Sequence, residues 1–341
     1  MKFGPLPLAE SEGVFLAQAV RRSGLYLHKG EWIGAQEIAA LKAVQIEEIV
    51  AARLEEGDVD ENTAALRLAM SVSGNNVNVV KTPTGRCNLV ADCAGVLLVD
   101  GQTVDHVNMQ DEAITLATHR PFQRVAKGEM VATVKIIPFA VETIALERAC
   151  AVAAEHPLRV AAFHPLQVGV VSTVLPETKP SIIGKALRTL EERLEPSESR
   201  IVRDDCTPHR MQPLATALRR MVGACDLIVI FGASAITDRR DVVPSAIEEA
   251  SGLILHFGMP VEPGNLLLLG TLPAGEWMIP VIGAPGCARS PKKNGFDFVL
   301  DRILAGLPIG SEEIRKMGVG GLLIETAAQE ENPLESNTRS R

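Results

Sequence analysis

Two acidic residues carry the first chemical signal in this chain. Asp204 lies in the run Arg203-Asp204-Asp205 and Asp241 closes Thr237-Asp238-Arg239-Arg240-Asp241. Both are expected where successive strands end, so a sheet could bring the two carboxylates to one rim. Paired carboxylates with open oxygen positions would hold Mg²⁺ bridged to a ligand phosphate, which makes Asp204 and Asp241 the candidate metal and catalytic residues. Asp238 is the alternative to Asp241, and the plain readings are a turn for Asp204 and a helix cap for Asp241. Between them runs the small-residue loop Gly232-Ala233-Ser234-Ala235. Such a loop lets backbone amides approach a ligand, and a helix start just beyond it favours an anion. Ser234 and Thr237 add hydroxyls for hydrogen bonding, but no histidine lies in the local motif to turn either into a nucleophile. A second loop, GAPGCARSP, offers close backbone approach at Gly283 and Gly286 and anion contacts from Arg289 and Ser290.

These residues need a scaffold, and the carboxyl half supplies the pattern for one. Val168–Thr173, Arg200–Arg203 and Leu227–Phe231 read as strands, alternating with helices over Ser181–Leu194, His209–Val222 and Ser245–Ala250. Repeated βα units imply a parallel sheet with ligands beyond its carboxyl edge. The expected fold is therefore α/β, a three-layer domain over 166–325 with a mostly parallel sheet. An α+β accessory domain over 1–142 precedes it, where short strands (Val50–Leu54, Val77–Val80, Gly95–Val99, Glu129–Ile137) mix with helices at Ala35–Ile49 and Asp60–Gly74. Val141–His156 reads as helical, which makes 143–165 a linker helix, and 326–341 reads as a disordered tail. Thr84-Gly85-Arg86 with Asn88 is a polar turn, either a tight strand connection or a ligand-facing one.

Composition narrows the function classes. The 341 residues carry a formal charge of -8 and only 4% aromatics, so neither a basic stripe nor a stacking surface for nucleic acid is expected. No apolar run reaches the ~20 residues of a membrane span, and the amino terminus does not read as a signal peptide. Six cysteines without a CxxC pair read as reduced thiols, which points to the cytoplasm, and the seven histidines show no metal spacing.

Taken together, VGVVST (Val168–Thr173), the acidic RDD, DLIVIFGASAITDRRDVVP (Asp226–Pro244), GMPVEPGN and GAPGCARSP resemble the molybdopterin-binding domain of molybdenum-cofactor biosynthesis proteins. That family includes molybdopterin adenylyltransferases and molybdotransferases. The resemblance covers about half the chain. It implies a molybdopterin ligand, Mg²⁺ at Asp204 and Asp241, possible protein partners in cofactor biosynthesis and a homo-oligomer. If the chain is catalytic, the chemistry implied is adenylyl transfer or metal insertion. Where the family's loop reads GGTG or GGVS, this chain has GASA, which puts a methyl group where the ligand would approach. Two other readings stay open: a nucleotide-pyrophosphatase-like enzyme on the same fold, and a non-catalytic carrier or regulatory module.

Overall fold

The computed structural model describes residues 1–323; the tail expected over 326–341 lies outside them. The chain divides into two compact units, the first Met1–Ala162 and the second beginning at Phe163. Helices and strands mix in both, an α/β composition. No helix among the described residues is long and apolar enough to cross a membrane.

The first unit holds two cores. A four-stranded antiparallel sheet (Lys2–Pro7, Glu48–Arg53, Val14–Leu16, Trp32–Ile33) buries Val14, Leu16, Ile33 and Leu41. The larger core gathers the helix Glu61–Val72 against a second antiparallel sheet running through Met130–Ile136 and Arg86–Ala91. That helix starts where the sequence places it, because the Asp60 carboxylate accepts the N–H groups of Asn62 and Thr63.

One boundary differs from expectation. The helix Thr143–Glu155 is not a linker: Ala145, Leu146, Ala149 and Ala153 are buried in the first unit's core. The strand that follows it, Arg159–Ala162, pairs antiparallel with Gly95–Leu98. An alanine-rich helix looks like a connector in sequence, but small side chains at this spacing also permit close packing, and here they do.

The second unit is built on a six-stranded sheet. Its spatial order is Arg200–Pro208, Gln167–Val174, Leu227–Phe231, Trp277–Ala284, Leu268–Ala274 and Leu253–Phe257. The first three contacts are parallel and the last two antiparallel. Leu227–Phe231 is buried at every position, as a β-branched run inside a parallel sheet should be. Alternate residues serve opposite faces. Val168, Val170, Val229 and Phe231 meet Ala186, Leu190, Phe296 and Val299 on one side. Val171, Ile228 and Ile230 meet Leu214, Leu218, Val243 and Ile247 on the other. The helix Pro180–Leu194 buries 186, 189, 190, 193 and 194, a stripe at helical spacing.

Arg200–Pro208 extends five residues beyond the expected strand end. Its Arg-Asp-Asp sequence reads as a loop, yet it lies at the sheet edge, where charged side chains remain in water. The hairpin of Leu268–Ala274 with Trp277–Ala284 was equally hidden, since its apolar runs give no direction in sequence.

Candidate functional site

A cavity of about 380 Å³ opens where three parallel strands end. Ser172 and Thr173 come from the end of Gln167–Val174, Phe231 from the last position of the central strand, and Arg289 from the 3-10 turn Gly286–Arg289. Ile182, Ile183 and Ala186 of the facing helix supply an apolar wall, and Glu177 and Thr178 border it from the preceding loop. This position follows from topology, since the carboxyl ends of parallel strands and the starts of their following helices converge there.

Three features make the cavity receptive to an anion. The helix Pro180–Leu194 opens on Lys179, which makes no side-chain cap, and on Pro180, which has no N–H. The Ile182 N–H donates to the Lys179 carbonyl at 3.0 Å, which leaves the Ser181 N–H in the first turn without a capping side chain. Ser172 is 4% exposed, lines the cavity and has no hydrogen-bond partner for its hydroxyl among the described residues. Arg289 brings a guanidinium whose pKa burial pulls below the ordinary arginine value.

The loop Gly232–Ala235 is pinned from two sides. Arg289 Nη2 donates to the Gly232 carbonyl at 2.7 Å, and the guanidinium lies 5.6 Å from the Phe231 ring centroid. The Ala233 N–H donates to Thr173 Oγ1 at 2.8 Å, and that oxygen lies 2.8 Å from His209 Nδ1. In the neutral Nε2–H tautomer, His209 accepts the Thr173 proton and completes a chain from histidine to loop amide. The second loop has its own anchor in Arg193, which is 7% exposed. Its Nε meets Asp297 at 2.6 Å while Nη1 and Nη2 donate to the carbonyls of Ala288 and Ser290 at 2.9 and 2.7 Å.

Of the residues expected from sequence to form the site, Ala233 and Arg289 line this cavity. Gly232 supports it through its carbonyl. Gly283 sits inside the Trp277–Ala284 strand, where an added Cβ would come 2.8 Å from Ile236 Cδ1 and 3.1 Å from Leu268 Cβ. Its small size leaves room for the Ile236 and Leu268 side chains, and it does not line the cavity. Gly286 is exposed, and a Cβ there would meet nothing within 4 Å. The Ser290 carbonyl is taken by Arg193, and its hydroxyl accepts the Lys292 N–H at 3.3 Å. Cys287 is partly buried, and burial pushes its thiol up, away from reactivity.

The two candidate metal carboxylates fall elsewhere. Asp204 is exposed in mid-strand at the sheet edge, beside Val170 rather than at a strand end. Asp241 is the N-cap of the helix Val242–Glu249: Oδ1 accepts the Val242 N–H at 2.7 Å and Oδ2 the Thr237 N–H at 3.3 Å. Neither lines the cavity. Among the described residues no group of three or more His, Cys, Asp or Glu is placed to hold a metal ion. Ser234 and Thr237 are exposed, as is Asp238, which pairs with Arg240 at 2.8 Å.

The Arg240 hydrogen bonds hold the Asp238 carboxyl at about 2, below its ordinary 3.8. A depressed carboxylate pKa stabilises the fold above the ordinary value, and that contribution is lost as pH falls through about 2. The expected result is a carboxyl-carbon NMR titration of Asp238 with its midpoint at about 2. In the Arg240→Gln variant the midpoint returns towards the ordinary value, and an unchanged midpoint would show that the pair is not formed.

Sequence reasoning missed Ser172, Thr173, Arg193 and His209. The signal for the first two was present: a Ser-Thr pair closing a buried strand just before a helix places hydroxyls at the ligand edge of a sheet. Arg193 carried no such mark, because a charged residue in a surface helix reads as solvated until its burial is known.

No family model matches the chain, and no curated protein matches it. Among solved structures it is similar to a molybdopterin biosynthesis MoeA protein from Pyrococcus horikosii, at 14% identity over 89% of this chain and 75% of that one, with a TM-score of 0.31. It is also similar to a molybdenum cofactor biosynthesis protein from Pyrococcus furiosus, at 14% identity over 90% of this chain and 64% of that one, with a TM-score of 0.24.

Proposed function

We propose that the second unit, read as a three-layer α/β domain, binds a phosphorylated pterin of the molybdopterin type. The chain would then act in molybdenum-cofactor biosynthesis or handling. The observation that carries this reading is the partnerless Ser172 hydroxyl, which shares one cavity with an uncapped helix start and with Arg289. A phosphate oxygen would satisfy all three, and the apolar wall of Ile182, Ile183 and Phe231 suits a planar ring. The sequence motifs at Val168–Thr173 and Asp226–Pro244 support the pterin as the ring.

Binding without turnover is the form of this reading we favour. Asp204 and Asp241 both lie outside the residues that line the cavity, and Asp241 accepts the N–H groups of Val242 and Thr237. No adenylyl-transfer or metal-insertion step is therefore routed through those carboxylates.

Native mass spectrometry of the full chain, purified from a molybdopterin-producing host, tests the ligand. A retained pterin mass is the expected result. A protein free of pterin that instead retains ADP-ribose would favour the pyrophosphatase-like alternative. Ser172→Ala tests the cavity itself. It is expected to weaken pterin binding by ~5-fold, the worth of one hydrogen bond at about 1 kcal/mol. Thermal stability should not fall, because the hydroxyl satisfies no group in the folded chain. A stability loss with unchanged affinity would remove Ser172 from the site.

A further inference from the structure

We propose that the first unit carries a separate small-molecule site, which takes an aromatic monocarboxylate. A cavity of about 330 Å³ there is lined by Lys29, Glu61, Thr84, Lys135, Ile137 and Phe139, with Gly30 and Pro138. That volume is near the lower end of the ~300–1,000 Å³ range of ligand pockets and fits one or two rings.

The wall is held rigidly. Lys135 Nζ donates to Glu61 Oε2 at 3.2 Å, to the Thr84 carbonyl at 2.6 Å and to the Ile136 carbonyl at 2.5 Å. Those three bonds use all its donors. The Gly85 N–H donates to Asn62 Oδ1 at 2.9 Å, and Thr84 is kept at a φ of 66°, a left-handed conformation that a β-branched residue rarely adopts. Strain maintained by a half-buried ion pair beside a cavity marks a shape the fold is built to keep.

The ligand's chemistry follows from what remains unpaired. Lys29 is exposed and makes no ion pair with any described residue; its ammonium lies 5.7 Å from the Phe139 ring centroid. The Phe139 ring stacks on Phe15 at 6.3 Å with the planes 10° apart. With Lys135 saturated, Lys29 is the lining group left to receive a negative charge. A second charge on the ligand would face the Glu61 carboxylate and the Thr84 carbonyl instead of a donor, so a monoanion is preferred to a dianion. Phe139, Pro138 and Ile137, which is 60% exposed, supply the apolar surface for a ring.

Calorimetric titration of the full chain with 2-naphthoate tests the site, with 2-naphthalenemethanol and 2-naphthyl phosphate as the neutral and dianionic probes. Naphthoate is expected to bind at least ~10-fold more tightly than either, the scale of one charge-assisted hydrogen bond. Lys29→Gln should remove that advantage, and because Lys29 is exposed the variant should keep the parent's circular dichroism and melting temperature. Hydrogen-exchange protection by naphthoate should fall on residues 135–139. No binding of naphthoate by the parent chain, equal binding by Lys29→Gln, tighter binding of the phosphate, or protection confined to other residues would each overturn the proposal.

Discussion

Arg193→Met is expected to destabilise the second unit by about 3 kcal/mol or more, the cost of leaving one partner of a buried ion pair without the other. Arg193 and Asp297 are 7% and 8% exposed, and their 2.6 Å contact joins the helix Pro180–Leu194 to the start of Gly295–Leu304. Among the described residues Asp297 would keep only the Asn294 N–H, at 2.7 Å. The same change removes two donors from the carbonyls of Ala288 and Ser290, so the segment carrying Arg289 should loosen as well. Urea unfolding followed by circular dichroism measures the loss, and hydrogen exchange in the Leu227–Phe231 peptide assigns it to this unit. The double variant Arg193→Met/Asp297→Asn should recover at least ~1 kcal/mol, because the stranded charge is gone while the helix cap keeps its acceptor. No recovery would mean that packing, not charge, sets the cost.

Replacing Arg289 should have the largest effect on ligand binding. Arg289→Gln is expected to weaken a phosphorylated pterin by ~10- to 100-fold, since a hydrogen bond to a charged group is worth about 1.5–3 kcal/mol. Part of this reflects the lost contact with the Gly232 carbonyl, which ties the loop to the cavity. Arg289→Lys separates the two contributions. Lysine keeps the charge but lacks the planar fork that can hold Gly232 and a ligand oxygen together, so it should restore only part of the affinity. Fluorescence titration with the pterin reads both variants. Affinity within twofold of the parent in Arg289→Gln would place the anion elsewhere.

Much of the second unit was legible because its signals are local. Leu227–Phe231 could be delimited to the residue, since a fully buried parallel strand is an uninterrupted apolar run bounded by polar and glycine residues. The amphipathic helix expected over Ser181–Leu194 lies at Pro180–Leu194, and Asp60 announced its helix by type and position. The edge strand was less legible. At Arg203–Asp205 solvent on the outer side permits the charges that in a sequence indicate a loop, so Asp204 was expected at a strand end that lies four residues further on.

What the sequence determined by itself is the small-residue loop, the strand–helix alternation and the types of group available to an anion. Each depends on neighbours within a few residues. What only the tertiary structure decided is which of these groups converge. Ser172 and Arg289 meet across 117 positions of chain because parallel strands end at one rim, while Asp241 turns back to cap its own helix. Gly283 shows the same division: its type suggested a ligand's approach, but the space beside it belongs to Ile236 and Leu268. Arg193 is the sharpest case, since a guanidinium on a helix is solvated or buried according to what packs over it, and the acid that pairs with it comes from another helix. Local chemistry names the donors and acceptors; long-range packing chooses their partners.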